Sequence, residues 1–192
     1  MSDHHQLLPD PLLSTHGDAV ANALTVYARR ATTADLRALM DPAISAVFSS
    51  AMASVGADSS AIWLIDPDHT HLVAGFTLPE SDLVGEKQPL SEGLISLVVA
   101  TEQPICENDV YGNSRHSKHI DESLGQTTDA LIAVPFYLGG TLRGVVSCIR
   151  WKAPDATAEF SAAHLDRVRQ LANTLERLLN YQLLKVVLDF EA

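Results

Sequence analysis

The stretch from Asn108 to Arg150 decides the fold. It contains a polar, His-rich segment and two apolar runs: NDVYGNSRHSKHIDESLG (108–125), ALIAVPFYL (130–138) and TLRGVVSCIR (141–150). Gly139 and Gly140 separate the two runs, and glycines in so short a connection predict a tight hairpin of antiparallel strands. A lid-like polar segment that leads into such a hairpin is more typical of a small-molecule-binding module than of a catalyst.

Composition bounds the class of protein. The chain has 192 residues, 46% of them hydrophobic, which is enough for one substantial core. Its formal net charge of −11 opposes approach to a phosphate backbone, so we expect no nucleic-acid partner. The sequence contains no run of about 18 apolar residues, so it predicts no membrane span, and residues 1–13 do not resemble a signal peptide. We therefore expect a cytoplasmic protein that does not contact a membrane.

Apolar periodicity predicts an α+β chain with helices at both ends. We divide it into a disordered tail (1–16), N-terminal helices (17–57), a core of sheet and roof (58–157) and a long C-terminal helix (158–192). Period-two patterns predict strands over 60–66, 71–76, 130–138 and 142–151, with a loop over 77–89. Short helices are expected over 94–98 and 117–124, and Pro42 is expected to kink or restart the second N-terminal helix.

The C-terminal helix predicts an assembly. At 1.5 Å per residue it would extend roughly 50 Å, longer than a domain of this size needs. Its last turns, LLKVVLDF (183–190), are apolar on nearly all sides, and such a helix needs a partner. Capping of its own sheet accounts for the first half only, so we expect a homodimer through the N- and C-terminal helices.

The cysteines do not predict an enzyme. Cys106 and Cys148 are too few for a disulfide framework and form no Cys-x-x-Cys pair, so we expect small buried hydrophobic residues. No glycine pattern marks a nucleophilic serine, and the Gly139–Gly140 pair predicts a turn rather than a phosphate-binding loop. We therefore expect no catalytic residues.

Histidines raise the question of a metal or haem iron. His116 and His119 lie three residues apart with Asp121 close by, and His69 and His71 alternate on a predicted hairpin. Loop histidines are more often surface residues than ligands, and no cysteine joins these at zinc spacing. We expect no metal site, and the sequence identifies no cofactor.

The order of these segments resembles the GAF domain family over about Leu36 to Asn180. The resemblance rests on SAIWLID (60–66) with HLVAGF (71–76), EGLISLVVATEQPICEND (92–109), RHSKHIDESLGQTTDALIAVPF (115–136) and GGTLRGVVSCI (139–149). It implies a central antiparallel sheet with the N- and C-terminal helices packed on one face. On the other face it implies a ligand pocket roofed by loops and short helices.

Within that family, HIDESLG (119–125) before a strand is similar to the GAF domains of cyclic-nucleotide phosphodiesterases and of bacterial sensor and regulator proteins. On matching positions the resemblance implies ligand contacts at Ala61, Thr77, Leu94, Ile95, Ser117, Asp121, Leu124, Thr128 and Ser147. Trp63 and Phe76 are expected to border the cavity with Leu94 and Ile95. Asp121 is the favoured contact, because an inward carboxylate can accept hydrogen bonds from a ligand. Helix capping and simple solvent exposure are the alternatives for this residue.

Departures from the family pattern weaken the nucleotide hypothesis. Two acidic base-reading positions fall on Leu78 and Ser147, and the acidic pair expected after the last strand reads His164-Leu165. Free methionine sulfoxide reductase, an enzyme of this family, has clustered cysteines around the pocket that this chain does not match. The sequence thus predicts a sensory or regulatory module for a small, partly apolar ligand, signalling through the terminal helices of a dimer. A cyclic-nucleotide-binding domain, a ligand-free dimerisation module and a thiol-based methionine sulfoxide reductase are its alternatives.

Overall fold

A computed structural model describes residues 11–152 and 159–188, with side chains from residue 16 onward. The described helices are α1 (Pro11–Arg30), α2 (Thr33–Leu39), α3 (Pro42–Val55), α4 (Leu94–Thr101), α5 (His119–Leu124) and α6 (Ala162–Val187). The described strands are β1 (Ser59–Ile65), β2 (His71–Leu78), β3 (Lys87–Pro89), β4 (Ile105–Glu107), β5 (Thr128–Leu138) and β6 (Thr141–Trp151). The chain is therefore α+β, as the sequence predicts.

The strands form one antiparallel sheet in the order β3-β2-β1-β6-β5-β4. The predicted hairpin joins β5 to β6 through Gly139 and Gly140, whose φ angles are 56° and 73°. Positive φ at both central residues is the requirement of the tight hairpin turn. A Cβ at Gly139 would also lie 2.7 Å from the carbonyl oxygen of Leu24, so the turn packs directly against α1.

Alternation along the strands divides the core between the two faces of the sheet. On β1, Ile62 and Leu64 belong to the cluster packed under α3 and α6, which we call the helix side. Ala61, Trp63 and Ile65 belong to a second cluster beneath α4 and α5, which we call the roof side. Both faces are buried, as the resemblance implies for a sheet covered by helices on one face and by a roof on the other.

Capping residues mark the starts of α2 and α3 and so separate the N-terminal helices. Thr32 caps α2 in a capping box with Asp35, and the carboxylate of Asp41 accepts from the backbone N–H of Ile44 at 2.8 Å to cap α3. Pro42 follows as the first residue of α3, which confirms the predicted restart. In the part of the chain described, no single helix is long and apolar enough to cross a membrane, although the α2–α3 pair, bent by 96°, meets the length and composition together.

Several elements differ from the predictions in their bounds. Helix α1 begins at Pro11 rather than near Gly17, because a proline at the first helical position sacrifices no hydrogen bond; residues 1–10 lie outside the description. Strand β3 lies in the predicted loop, where three residues are too few to show a period. Helix α6 begins after Ser161, whose hydroxyl accepts from the His164 N–H at 3.4 Å.

The end of α6 is covered in part by its own chain. Leu179 and Leu183 are completely buried in the helix-side cluster. A partner is therefore not needed at these positions, contrary to the prediction for the last turns. Val186 and Leu188 remain exposed, and Phe190 lies outside the described residues.

Candidate functional site

A small cavity lies between the roof side of the sheet and the roof, which consists of α4, α5 and the loop over residues 108–118. This inner cavity has a volume of about 80 Å³. Its apolar lining is Trp63, Leu94, Ile95, Val110, Ile120 and Leu131. Its remaining lining is Gln88, Gly93, His116, Ser117, Asp121 and Thr128. The cavity is thus an apolar space with polar groups along one part of its wall.

A wider and more polar space, which we call the outer groove, shares part of that wall. Its volume is about 430 Å³, and Gly93, His116 and Ser117 line both spaces. Its other lining residues are Leu90, Ser91, Glu92, Ser96, Leu97, Ala100, Ser114 and Arg115. The inner cavity therefore borders a surface groove along the start of α4 and the end of the roof loop.

Asp121 is held by hydrogen bonds within the protein. Its Oδ2 accepts from the Thr128 N–H at 2.8 Å, and its Oδ1 accepts from the Thr128 hydroxyl at 2.8 Å. His116 Nε2 lies 3.3 Å from the same Oδ2. Because a carboxylate only accepts, the Nε2 nitrogen carries the proton in this contact. Asp121 thereby ties the roof to the first residue of β5.

Electrostatics keep this carboxyl group ionised. Burial alone would raise the pKa of Asp121, but the hydrogen bonds from His116 and Thr128 outweigh burial and lower it below the usual 3.8. The side chain is buried, as predicted for an inward-facing residue of α5. Its lone pairs are largely committed to the protein, so a direct bond to a ligand is not its principal role in this structure.

Other polar groups of the wall are also paired internally. Trp63 donates its Nε1 to the hydroxyl of Ser147 at 3.0 Å, and Gln88 donates its Nε2 to the Glu92 carbonyl at 3.1 Å. Ser147 therefore orients Trp63 from behind and does not itself line the cavity. The cavity face is apolar because its polar neighbours satisfy one another.

Six of the predicted site residues meet in the inner cavity: Trp63, Leu94, Ile95, Ser117, Asp121 and Thr128. Ala61 and Leu124 belong to the roof-side packing around it but do not line it. Ala61 pairs with Ser147 across β1 and β6, so both lie on the roof side of the sheet, beneath Trp63. The structure thus brings six of the predicted residues together around one cavity and places these three in the packing next to it.

The prediction that Phe76 borders the cavity is wrong. Ile62 pairs with Phe76 while Trp63 pairs with Ala74, so Gly75 is an extra residue in β2. Such a bulge moves every later side chain to the opposite face of the sheet. Phe76 accordingly packs on the helix side, with its ring centroid 5.6 Å from that of Phe48.

Thr77 also lies outside the inner cavity. With Phe76 it lines a separate groove of about 330 Å³ along the edge of β2, next to Arg37 and Glu80. Its hydroxyl oxygen is buried and has no hydrogen-bond partner among the described residues. The predicted contact at Thr77 is therefore not part of the cavity in this structure.

Sequence reasoning missed several wall residues. Val110 and Ile120 are isolated apolar residues in a polar segment, and Ile120 lies one turn before Leu124, a spacing that marks one face of α5. The sequence suggests His116 only as a metal ligand, whereas in the structure it contacts Asp121 and lines the inner cavity with it. Across the described ranges, no group of three or more His, Cys, Asp or Glu side chains could hold a metal ion.

Both cysteines lie on the helix side, away from the cavity. Cys106 on β4 and Cys148 on β6 flank Ile132 of β5, so one strand separates them. Burial raises the pKa of the Cys148 thiol to about 12, and burial together with the charge of Glu107 raises that of Cys106. Neither environment activates a thiolate.

The roof is connected to the C-terminal helix at Phe160. Asn108 donates its side-chain amide to the Phe160 carbonyl at 2.9 Å and accepts from the Phe160 N–H at 2.7 Å. Arg150 lies 4.3 Å above the Phe160 ring and donates to the Val55 carbonyl at the end of α3. The start of α6, the end of α3 and the roof loop therefore meet at one junction.

Comparisons with known proteins agree with this architecture. Residues 33–180 match the GAF domain family. The GAF domain of a phosphoenolpyruvate-protein phosphotransferase from Coxiella burnetii has a similar structure, with a TM-score of 0.60 and 19% identity over 88% of this chain and 95% of that one. No curated protein matches the chain in sequence.

Other similar structures have different roles. One is the free methionine-R-sulfoxide reductase from Neisseria meningitidis in complex with its substrate, with a TM-score of 0.57 and 15% identity over 92% of this chain and 96% of that one. Another is the GAF-B domain of DevS from Mycobacterium smegmatis, with a TM-score of 0.55 and 15% identity over 73% of this chain and 94% of that one. At these identities the likeness concerns the fold. The family match, the sheet order and the roofed cavity together show that the chain belongs to the GAF domain family.

Proposed function

We propose that this GAF domain is a sensory or regulatory module that binds a small, partly apolar molecule and signals through the terminal helices of a dimer. The observation that carries the proposal is the inner cavity: an apolar space remains at the site where the family resemblance implies a ligand. Packed cores contain few spaces larger than a water molecule. A space of about 80 Å³ lined by six apolar side chains is therefore a candidate binding site.

The size of the cavity argues against a cyclic nucleotide. Sites for drug-sized ligands are typically about 300–1,000 Å³, several times the inner cavity. The polar groups that could read a purine edge are also engaged, since Ser147 pairs with Trp63 and Asp121 pairs with Thr128. A compact ligand with a substantial apolar part suits the wall better.

A route from the cavity to α6 supports the signalling role. The roof loop begins at Asn108, which holds the backbone of Phe160 by two hydrogen bonds immediately before the N-cap of α6. A ligand that changes the packing of the roof can therefore bias the start of this helix. Such coupling requires that the ligand has different affinities for two states of the junction.

Exposed apolar side chains near the helix ends support the dimer. Val26 on α1 is 42% exposed, and Val186 and Leu188 at the end of α6 are 50% and 42% exposed. Val26 and Val187 line one groove, together with the charged side chains of Arg30 and Asp35, so the two helices offer an adjoining surface that is apolar in part. A second copy of the chain would cover it in a helical bundle.

An enzymatic role based on thiol chemistry is not part of the proposal. Some similar structures are methionine sulfoxide reductases, but here both thiols lie on the far side of the sheet and have raised pKa values. We expect no methionine sulfoxide reduction. Turnover that a Cys106→Ser variant loses would contradict this expectation.

A thermal-shift screen with matched variants tests the proposed function. Ile95 lines the inner cavity and Val99 lines neither the inner cavity nor the outer groove, yet both are half-buried positions of α4. Small, partly apolar compounds that stabilise the parent should lose their effect in Ile95→Phe, which fills the cavity, and retain it in Val99→Phe. If no compound stabilises the parent, or if both variants respond like the parent, the ligand-free dimerisation module replaces the sensor.

A further inference from the structure

His116 stands where the inner cavity meets the outer groove. It lines both spaces, and its side chain is only 11% exposed. Gly93 faces it from the start of α4; a Cβ there would lie 3.0 Å from Gln88 Nε2 and 3.4 Å from the Ser117 Cβ. The boundary between the two spaces is therefore closely packed at Gly93, and His116 borders both of them.

Among the described residues, one side-chain hydrogen bond links this ring to the sheet, by way of Asp121, and the ring also lies 6.2 Å from that of Tyr111. His116 Nε2 lies 3.3 Å from Asp121 Oδ2, whereas Asp121 is bound to Thr128 by two contacts of 2.8 Å. The contact with His116 is thus the weakest of the three, and Asp121 remains attached to β5 when it breaks.

The loop that carries His116 is anchored at one end. Asn113 donates its side-chain amide to Glu107 at 2.6 Å and accepts the backbone N–H of Arg115 at 3.0 Å. At the other end, Lys118 precedes α5 without a side-chain capping bond. The later residues are held by weaker contacts: the Ser117 hydroxyl reaches Glu92 at 3.5 Å, and the Lys118 ammonium lies 4.1 Å from the centre of the Tyr111 ring. The segment between the two ends is therefore less firmly held than its base at Asn113.

Movement of this segment would enlarge the site. The inner cavity alone is smaller than ordinary small-molecule sites, whereas the inner cavity and the outer groove joined reach the usual range. A joined site would be apolar at its inner end and polar at its outer end, where Glu92 and Arg115 lie. A ligand that occupies both spaces has an apolar group joined to a hydrogen-bonding group.

We propose that His116 is a gate between the two spaces, that Asp121 is the positioning residue that holds it closed, and that an amphiphilic small molecule enters by displacing it. The ligand class rests on the proposed function, but the gate itself does not. The gate assigns to Asp121 a part other than direct ligand binding.

Trp63 provides a readout that needs no ligand. It lines the inner cavity and is 4% exposed, and the only other tryptophan is Trp151. In a Trp151→Phe background, quenching of Trp63 fluorescence by acrylamide therefore measures how often the passage opens. The emission maximum and a cooperative denaturation curve verify that each variant is folded.

Three substitutions separate the gate from simpler explanations. His116→Phe keeps a ring of similar bulk but removes the bond to Asp121, and it should raise the quenching constant about tenfold, the change in open population expected on loss of one hydrogen bond to a carboxylate. His116→Ala removes the wall as well and should raise it at least as much. Arg115→Ala, next to the gate but lining only the outer groove, should leave it unchanged.

Each other outcome overturns the proposal. Unchanged quenching in both His116 variants would show that the ring does not close the passage. An increase of the quenching constant in His116→Ala alone would show that His116 only fills space and that its bond to Asp121 does not hold the passage closed. Equal increases in all three variants would indicate general loosening of the roof. None of these results depends on the ligand, so failure of the gate would leave the sensor proposal standing, and failure of the ligand screen would leave the gate standing.

Discussion

Replacement of Asp121 by alanine should destabilise the domain substantially. The substitution leaves three donors without their acceptor: the Thr128 N–H, the Thr128 hydroxyl and His116 Nε2. The hydroxyl and the imidazole can turn toward other partners, but the backbone N–H of the buried Thr128 cannot. The cost therefore comes mainly from one stranded donor and from two lost charge-assisted bonds.

The magnitude follows from these contacts. A hydrogen bond to a charged group contributes about 1.5–3 kcal/mol, and removal of a buried carboxylate returns part of its desolvation cost. We expect a net loss of about 2–4 kcal/mol in the free energy of unfolding for Asp121→Ala. Asp121→Asn keeps one acceptor oxygen and should lose about half as much.

Urea denaturation followed by tryptophan fluorescence measures these losses, since Trp63 lies in the same cavity wall. Glu122→Ala is the matched control, because this neighbouring acidic residue of α5 is exposed. It should change stability by less than about 0.5 kcal/mol. If Asp121→Ala and Glu122→Ala shift the midpoint equally, the hydrogen bonds of Asp121 do not hold the roof.

Three further predictions concern pH, close packing and assembly. The pKa of Asp121 is lowered in the folded state, so its contribution to the free energy of unfolding is present above the unfolded pKa near 3.8 and is lost as pH falls through the lower folded pKa. Acid denaturation of Asp121→Asn should lack this loss of stability. A stability profile against pH identical to that of the parent would contradict the assignment. Gly144→Ala places a Cβ against the Trp63 carbonyl oxygen and should lower the free energy of unfolding by about 3 kcal/mol or more. Gly17→Ala on α1, where the new Cβ meets no atom, should be neutral or stabilising by up to about 1 kcal/mol. Equal effects of the two substitutions in calorimetry would refute the packing argument. Val26→Glu and Val186→Glu should weaken self-association in sedimentation velocity while Val47→Glu, exposed on α3, should not, and tight dimers of all three would place the interface elsewhere.

Local chemistry made much of the fold predictable. The Gly139–Gly140 turn, the restart at Pro42 and the apolar strands each depend on residues adjacent in sequence, and all are confirmed. The bulge at Gly75 was not predictable, because its cause is tertiary: a Cβ there would lie 3.0 Å from Leu36 on α2. A glycine in a strand permits a bulge, but the close approach of α2 that excludes a larger residue at position 75 is a tertiary contact, which the sequence does not show.

The candidate site likewise has a part that the sequence predicts and a part that it does not. The inward position of Asp121 follows from the pattern of α5, but its partners do not, because Thr128 lies seven residues later and His116 five residues earlier, and loop geometry decides which donors reach it. The end of α6 shows the corresponding limit for apolar residues. Periodicity indicates that Leu183 is buried, but it does not distinguish burial in its own domain from burial against a partner.

Mass spectrometry of the freshly purified protein, under native conditions and after denaturation, tests the sensor most directly. We expect the parent and Val99→Phe to carry a small molecule that denaturation releases, and Ile95→Phe, with its inner cavity filled, to carry none. Native and denatured masses that agree in all three proteins would contradict a ligand-binding role and favour a GAF domain retained for dimerisation.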